Sequence, residues 1–397
     1  MQSILKNIKG DRSIWLGVVL LALFSFMPIY SASTNLVYVV GTASSPTAIL
    51  VKHAVLLSLG FCVLFFVHRI PYRYFSGGSV LMLPVIVILL LFTLTQGKTI
   101  GGANANRWIS LPFIGVGFQT STLASLVVMT YVARYLAKNK ESEIDFKESL
   151  LYLWAPVGVV LMLILPANFS TTAILFSMIL LIVFVGGYPL KYIGFILGVG
   201  LVGLALFVLT AKAFPDLMPN RVDTWMSRIE SFSDDDDTEA YQVEKAKIAI
   251  ATGGVVGQGP GKSVQKNFLP QSSSDFIYAI IIEEFGLAGG VCVLFVYFFL
   301  LLRFVIVAKK AKTIFASLLV LGIGLPIIFQ GLINMMVATN LLPVTGQTLP
   351  LLSSGGTSIW MTCFAVGMVL SVSAASEEPE NAEEHENPLN VLHETID

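Results

Sequence analysis

Asp275 ends the polar run LPQSSSD and is followed at once by the apolar run FIYAIII, so the chain sets one carboxylate at a boundary between water and hydrocarbon. An ionisable group there is costly and marks a functional site by default. Its chemistry would be that of a general base on a hydroxyl, or of a ligand to a cation. A structural role competes, because Ser274 or Asp275 would also make a good N-cap for a helix beginning at Phe276. Glu283 and Glu284 lie further along that helix, about 12 Å deeper by helix rise, where an isolated charge is unfavourable and a partner is required. Lys52, near the outer end of the second apolar run, is one candidate.

Positive charge that could meet an anionic head group such as a pyrophosphate lipid falls on Arg107 and along a long polar stretch, at Arg221, Arg228, Lys245, Lys247, Lys262 and Lys266. Snorkelling of long side chains at an interface would use the same residues. Trp108, beside Arg107, could cover a sugar face or anchor its loop at the interface. The glycine-rich GGVVGQGPGKS at 253–263 invites comparison with a phosphate-binding loop. Its glycines do not give the GxxxxGK[ST] spacing with Lys262 in place, and no strand precedes it. No nucleotide site and no nucleic-acid partner are expected. A second irregular run, LLPVTGQTLPLLSSGGTS at 341–358, puts Pro, Gly, Ser and Thr at membrane depth, which is tolerated only in a buried segment or a cavity wall. Pro343, Thr345, Gly346, Pro350, Ser354, Gly355 and Gly356 are then pocket candidates near Asp275, although helix breaking in a re-entrant loop would account for most of them.

The elements that must position these groups are membrane helices. With 55% hydrophobic and 12% charged residues among 397, the chain has too little polar surface to cover a soluble globule. About ten apolar runs are long enough to cross a bilayer. They extend from Ile14 to Ala32, Ala48 to Val67, Ser79 to Leu94, Gln119 to Leu136, Leu150 to Leu165, Thr171 to Gly187, Leu190 to Ala213, Phe276 to Val307, Ile314 to Val337 and Thr357 to Val372. The fold class is therefore an all-α polytopic membrane protein, with a long extracytoplasmic loop, 214–275, between helices seven and eight. One set of connections carries Lys6, Lys9, Arg12, Arg69, Arg73, Arg134, Lys138, Lys140, Lys147, Lys191, Arg303, Lys309, Lys310 and Lys312, while short connections on the other side carry only Lys52, Lys98 and Arg107. Basic residues stay on the cytoplasmic side, so both termini are expected there and loops 97–118, 214–275 and 338–356 outside.

The first apolar run reads as an uncleaved helix, since further spans follow it. Cys62, Cys292 and Cys363 lie within apolar runs without CxxC spacing and read as small buried hydrophobes. His53, His68, His385 and His393 are scattered and offer no zinc site or His-dependent nucleophile. The segment 376–397 is acidic, with no Lys or Arg, and reads as a disordered cytoplasmic tail; a docking peptide is the alternative.

DFIYAIIIEEFG at 275–286 and LLPVTGQTLPLLSSGGTS at 341–358 resemble the signature of the FtsW/RodA/SpoVE (SEDS) family. GGANANRWISL at 101–111, PANFSTTAIL at 166–175 and the run GQGPGKSVQK at 257–266 extend the resemblance over nearly the whole chain. The stretch 241–270 is more similar to the division-associated FtsW branch than to the elongation-associated RodA branch. The resemblance implies one glycosyltransferase domain over 1–375 that polymerises lipid II into glycan at the outer face of a bacterial inner membrane, at the division septum. It implies a cognate class B penicillin-binding transpeptidase, FtsI-like, and other divisome membrane proteins as partners, and it places Asp275 at the family's essential aspartate. The chain departs from the family in reading QTSTLAS at 119–125 for QPSExxK, with Thr120, Thr122 and Ser125 at the altered positions, and Asn168 where an aspartate is common.

The expected reaction is inverting glycosyl transfer, with Asp275 as general base on the acceptor hydroxyl while an undecaprenyl pyrophosphate leaves the donor. Charge on the leaving group would be met by Arg107, by the basic outer loop, or by a divalent cation, Mg2+ or Mn2+, that also touches Asp275. Glu283 and Glu284 would be supporting residues. Other readings are a lipid II flippase, an elongation-type polymerase and a catalytically silent scaffold. A transporter should show internal duplication and charges along a path through the bilayer, and neither is visible in the sequence.

Overall fold

Local sequence sets the helix starts. Ser45 accepts from the Ala48 amide (3.2 Å) with Pro46 as the first helical residue, and Asn168 and Thr313 cap their helices by accepting from Thr171 and Ala316 (3.3 and 3.2 Å). The computed structural model describes residues 9–38, 45–96, 108–110, 117–140, 144–213, 238–269 and 272–377. The helices are α1 (Arg12–Tyr38), α2 (Pro46–Val67), α3 (Arg73–Gln96), α4 (Thr120–Lys138), α5 (Phe146–Ile164), α6 (Phe169–Val185), α7 (Leu190–Ala213), α8 (Thr238–Gly253), α9 (Ile277–Lys310), α10 (Ile314–Ala338) and α11 (Gly356–Glu377). Eight of these are long and apolar enough to cross a membrane. The expected spans at α4 and α6 are helical too, but α4 carries more polar residues and α6 is short, at 17 residues. A two-stranded antiparallel hairpin, β1 (Trp108–Ser110) with β2 (Gly117–Gln119), lies in the loop before α4.

Two apolar clusters build the bundle. One joins α1, α2, α8, α9, α10 and α11 around Phe276, Tyr297 and Phe304; the other joins α3 to α7 around Met129, Leu153 and Ile179. Helix α10 packs against members of both, touching α4, α6, α9 and α11, and so is the central post. Helix α7 is peripheral, with only 6% of its apolar window buried. In α5 a π-turn spans Leu150–Trp154 just before Pro156. Proline has no N–H to offer the carbonyl four residues earlier, Tyr152, and the Tyr131 hydroxyl donates to that carbonyl instead.

The connections expected on the cytoplasmic side gather at one end. Arg303 Nε donates to Asp11 (3.0 Å), the Asp11 amide donates to Ser373 Oγ (3.0 Å), and Arg134 donates to Ser76 (3.0 Å). Two cysteines correct the sequence reading: Cys62 and Cys292 are exposed on the helix surface, and only Cys363 is buried. Hydrocarbon, not a protein core, satisfies a thiol on such a face.

Candidate active site

The apolar run expected from Phe276 to Val307 is not one straight helix. Gly286 has φ +70° and ψ −176°, which breaks α9. Tyr278 OH nevertheless donates to Gly290 O at 3.2 Å, although a straight helix would hold those residues about 18 Å apart. The chain therefore doubles back at Gly286, and residues 277–285 form a half-helix folded against the start of the membrane-crossing part. Ile277 to Glu284 are buried on every face, whereas Leu287, Phe295, Phe298 and Leu302 beyond the break are exposed along one helical stripe. This corrects the expected depth, because helix rise from Asp275 does not carry Glu283 and Glu284 into hydrocarbon.

The glycine-rich run explains the break. Leu287 and Ala288 donate to the carbonyls of Gly254 and Val255 (2.8 and 3.2 Å), and Gln258 and Gly259 donate to those of Glu283 and Glu284 (both 2.9 Å). The loop thus re-pairs the backbone groups that the reversal frees. Approach is close enough to require glycine: a Cβ on Gly257 or Gly286 would sit 2.2 Å from a backbone oxygen of the opposite segment.

Both glutamates are 1% exposed, and their partners come from this loop. Ser263 Oγ and the amides of Val264 (2.9 Å) and Gln265 (3.2 Å) donate to Glu283, whose carboxylate caps the short 3-10 turn Gln265–Asn267. Ser31 of α1 and the Ser263 amide (3.3 Å) donate to Glu284. Lys266 Nζ donates to the same Ser31 Oγ (3.0 Å) and to Gly261 O (2.8 Å). Lys52 is therefore not the partner; it lies exposed on α2. Lys266, at 8% exposure, is an internal cation and not a surface point for a head group. Lys262 is exposed and curls over Gly259.

Asp275 sits half-buried at the other end of the half-helix. The N-cap position belongs to Phe276, which makes no side-chain capping bond, so the expectation of Ser274 or Asp275 as the cap does not hold. The backbone is held from outside: Ser354 N donates to Ser273 O (2.8 Å), Ser353 Oγ to Ser274 O (2.6 Å) and Asn334 Nδ2 to Asp275 O (2.8 Å). Gly346 has φ +67°, and a Cβ there would come 3.6 Å from Asp275 Oδ2. The run 341–358 is thus the wall beside Asp275, and Pro343, Thr345, Gly346, Ser354, Gly355 and Gly356 are all half-buried along it. Gln330 Nε2 donates to Thr348 O (2.9 Å), and Gln347 Nε2 to Thr171 Oγ1 of α6 (3.0 Å). Trp108 is half-buried in β1, on a hairpin that packs against α11 through β2.

Arg107, Arg221 and Arg228 lie outside the described residues, as does the tail from 378. Two of the divergent hydroxyls bond within their own helix, Thr122 Oγ1 donating to Gln119 O (2.7 Å) and Ser125 Oγ to Ser121 O (2.9 Å), whereas the Thr120 hydroxyl pairs with that of Thr93 on α3 (3.1 Å). Sequence reasoning passed over Gln330 and Asn334. Their signal was available, as two amides one turn apart in an apolar span are rare and face a bundle interior. Ser31 carried no such signal, since serine is common in membrane helices.

The FtsW/RodA/SpoVE "Cell cycle protein" family model matches residues 11–378. A probable peptidoglycan glycosyltransferase FtsW of Halomonas elongata is 32% identical over 387 residues, covering 94% of this chain and 93% of the relative. Its counterpart in Saccharophagus degradans is 32% identical over 330 residues, covering 81% and 82%. Among solved structures, a chain of a peptidoglycan synthase complex that coordinates polymerization and crosslinking superposes with TM-score 0.72 at 25% identity, covering 93% of this chain and 99% of that one. The rod shape determining protein RodA of Thermus thermophilus superposes with TM-score 0.66 at 24% identity, covering 93% and 98%.

Proposed function

The chain belongs to the FtsW/RodA/SpoVE family of multi-pass membrane proteins, and on that footing we propose that it is a peptidoglycan glycosyltransferase that polymerises lipid II with Asp275 as general base. The observation that carries the base assignment is the mounting of Asp275: three successive carbonyls, at 273, 274 and 275, are each held by a donor from α10 or the 341–358 wall. Catalytic groups held to that degree need little reorganisation at the moment of reaction.

In the step, the Asp275 carboxylate takes the proton of the acceptor sugar hydroxyl as that oxygen bonds the donor's anomeric carbon. The bond from that carbon to the lipid pyrophosphate breaks with inversion, and the electron pair leaves with the pyrophosphate. Arg107, Lys262 and Lys52 are the cations assigned to the phosphates, and Trp108 to a sugar face. A divalent cation, Mg2+ or Mn2+, would be held on this chain by Asp275 and would supply positive charge to the departing pyrophosphate; the described residues hold no group of three or more His, Cys, Asp or Glu side chains. Septal action, an orientation with both termini cytoplasmic, and work alongside a class B penicillin-binding transpeptidase complete the reading; likeness to a chain of a peptidoglycan synthase complex supports the partner.

The test is polymerisation of labelled lipid II by the protein purified with its transpeptidase, with moenomycin silencing other polymerases. Wild type should make glycan and Asp275→Asn should lose at least about 10²-fold in rate, the low end for a general base. Equal polymer from both would remove Asp275 from the chemistry, and polymer from neither, with lipid II still crossing reconstituted bilayers, would favour a flippase.

A further inference from the structure

We infer that Asn334 of α10 is a positioning residue for this reaction, setting Asp275 against the substrate wall through its side-chain amide; the inference rests on the reading of Asp275 as the base. Asn334 is 1% exposed and donates from Nδ2 to two carbonyls at once, Asp275 O (2.8 Å) and Gln347 O (2.7 Å). One side chain thereby ties the base to the residue that follows Gly346, the glycine lying beside the base's own carboxylate. An amide oxygen facing two carbonyl oxygens would be repelled, so the orientation of the amide is fixed by its acceptors. Its Oδ1 is buried with no hydrogen-bond partner among protein atoms. A buried acceptor without a protein partner is uncommon, and here it follows from an amide turned by its two donor bonds to Asp275 O and Gln347 O.

The need for such a clamp follows from the local backbone. Phe276 provides no side-chain cap, the half-helix that follows Asp275 is short, and the wall is irregular, with positive φ at Gly346 and Leu351. Neither segment fixes the other through regular secondary structure. Helix α10 touches the helices of both halves of the bundle, so Asn334 transfers the rigidity of the central post to the base. Gln330, one turn earlier on the same face, holds Thr348 but does not touch Asp275, and so serves as a matched control.

The experiment measures lipid II polymerisation across substrate concentrations for the purified complex carrying Asn334→Ala, Asn334→Ser or Gln330→Ala. Misplacement of a catalytic group by about 1 Å costs on the order of a hundredfold. Asn334→Ala should therefore lower kcat about a hundredfold with KM within about twofold, Asn334→Ser should recover part of that by restoring one donor, and Gln330→Ala should lose less than about tenfold. Lipid II binding, measured in an Asp275→Asn background, should not change when Asn334→Ala is added. A wild-type kcat in Asn334→Ala, or a loss carried by KM or by weakened lipid II binding, would overturn the inference. Should Asn334→Ala fail to fold, Asn334→Ser carries the same test. Full activity in Asp275→Asn strikes the base assignment itself, whereas an inactive Asp275→Asn beside a fully active Asn334→Ala strikes only the clamp.

Discussion

Replacing Gly286 by alanine puts two demands on the chain reversal. The residue sits at φ +70° and ψ −176°, a region open essentially to glycine alone, where an L side chain costs roughly 1–3 kcal/mol. The new Cβ would also lie 2.2 Å from Val255 O, so the loop must withdraw. Withdrawal breaks the bonds from Leu287 N to Gly254 O and from Ala288 N to Val255 O, each worth about 1 kcal/mol net. The sum is roughly 3–5 kcal/mol. Gly261→Ala is the internal comparison: its φ is +77°, but a Cβ there meets nothing within 4 Å, so only the conformational cost of roughly 1–2 kcal/mol remains. Thermal unfolding of the protein in nanodiscs, followed by tryptophan fluorescence, should show a fall in Tm of roughly 4–6 °C for Gly286→Ala and of roughly 1–2 °C for Gly261→Ala. Equal shifts would refute the packing of the glycine-rich loop onto the break.

Lys266→Met should destabilise by about 1.5–3 kcal/mol, because it removes charged donor bonds to Ser31 Oγ and Gly261 O next to the buried Glu284, and Lys266→Met with Glu284→Gln should recover part of that; a double variant as unstable as the single one in the same melting assay would break the link. Tyr131→Phe should cost about 1 kcal/mol in the natural background by leaving the Tyr152 carbonyl short of a donor. In Pro156→Ala, where residue 156 regains its N–H, that cost should nearly vanish, and an unchanged cost in the double-mutant cycle would show that the hydroxyl does not replace the missing amide.

Much of this site was legible in the sequence, for reasons that differ by residue. Asp275 stood out because a carboxylate followed directly by an apolar run is either a helix cap or a functional group, and residues alone left the two readings balanced. The wall at 341–358 was legible because Pro and Gly inside a membrane protein must be buried or line a cavity. The reversal at Gly286 was not, since FIYAIIIEEFGLAGGVCVLF reads as continuous hydrocarbon-compatible helix, and a positive φ leaves no mark on hydropathy. That omission carried the partner assignment with it: a straight helix takes Glu284 toward Lys52, whereas a reversed one brings it to Ser31 and Lys266. The glycine-rich loop was recognised as special, but its purpose, close backbone approach to another backbone, required knowing that there was a broken helix to approach.

The doubled-back segment also bears on biogenesis. Residues 277–285 cannot enter the bilayer as a span, and the loop that re-pairs their backbone is synthesised before them, while the donors that hold Asp275 come from residues 334, 353 and 354. Asp275 is therefore mounted only after α10 and the wall have left the ribosome. A chain truncated after α9 would hold most of its helices and still leave the backbone around Asp275 without its donors from residues 334, 353 and 354.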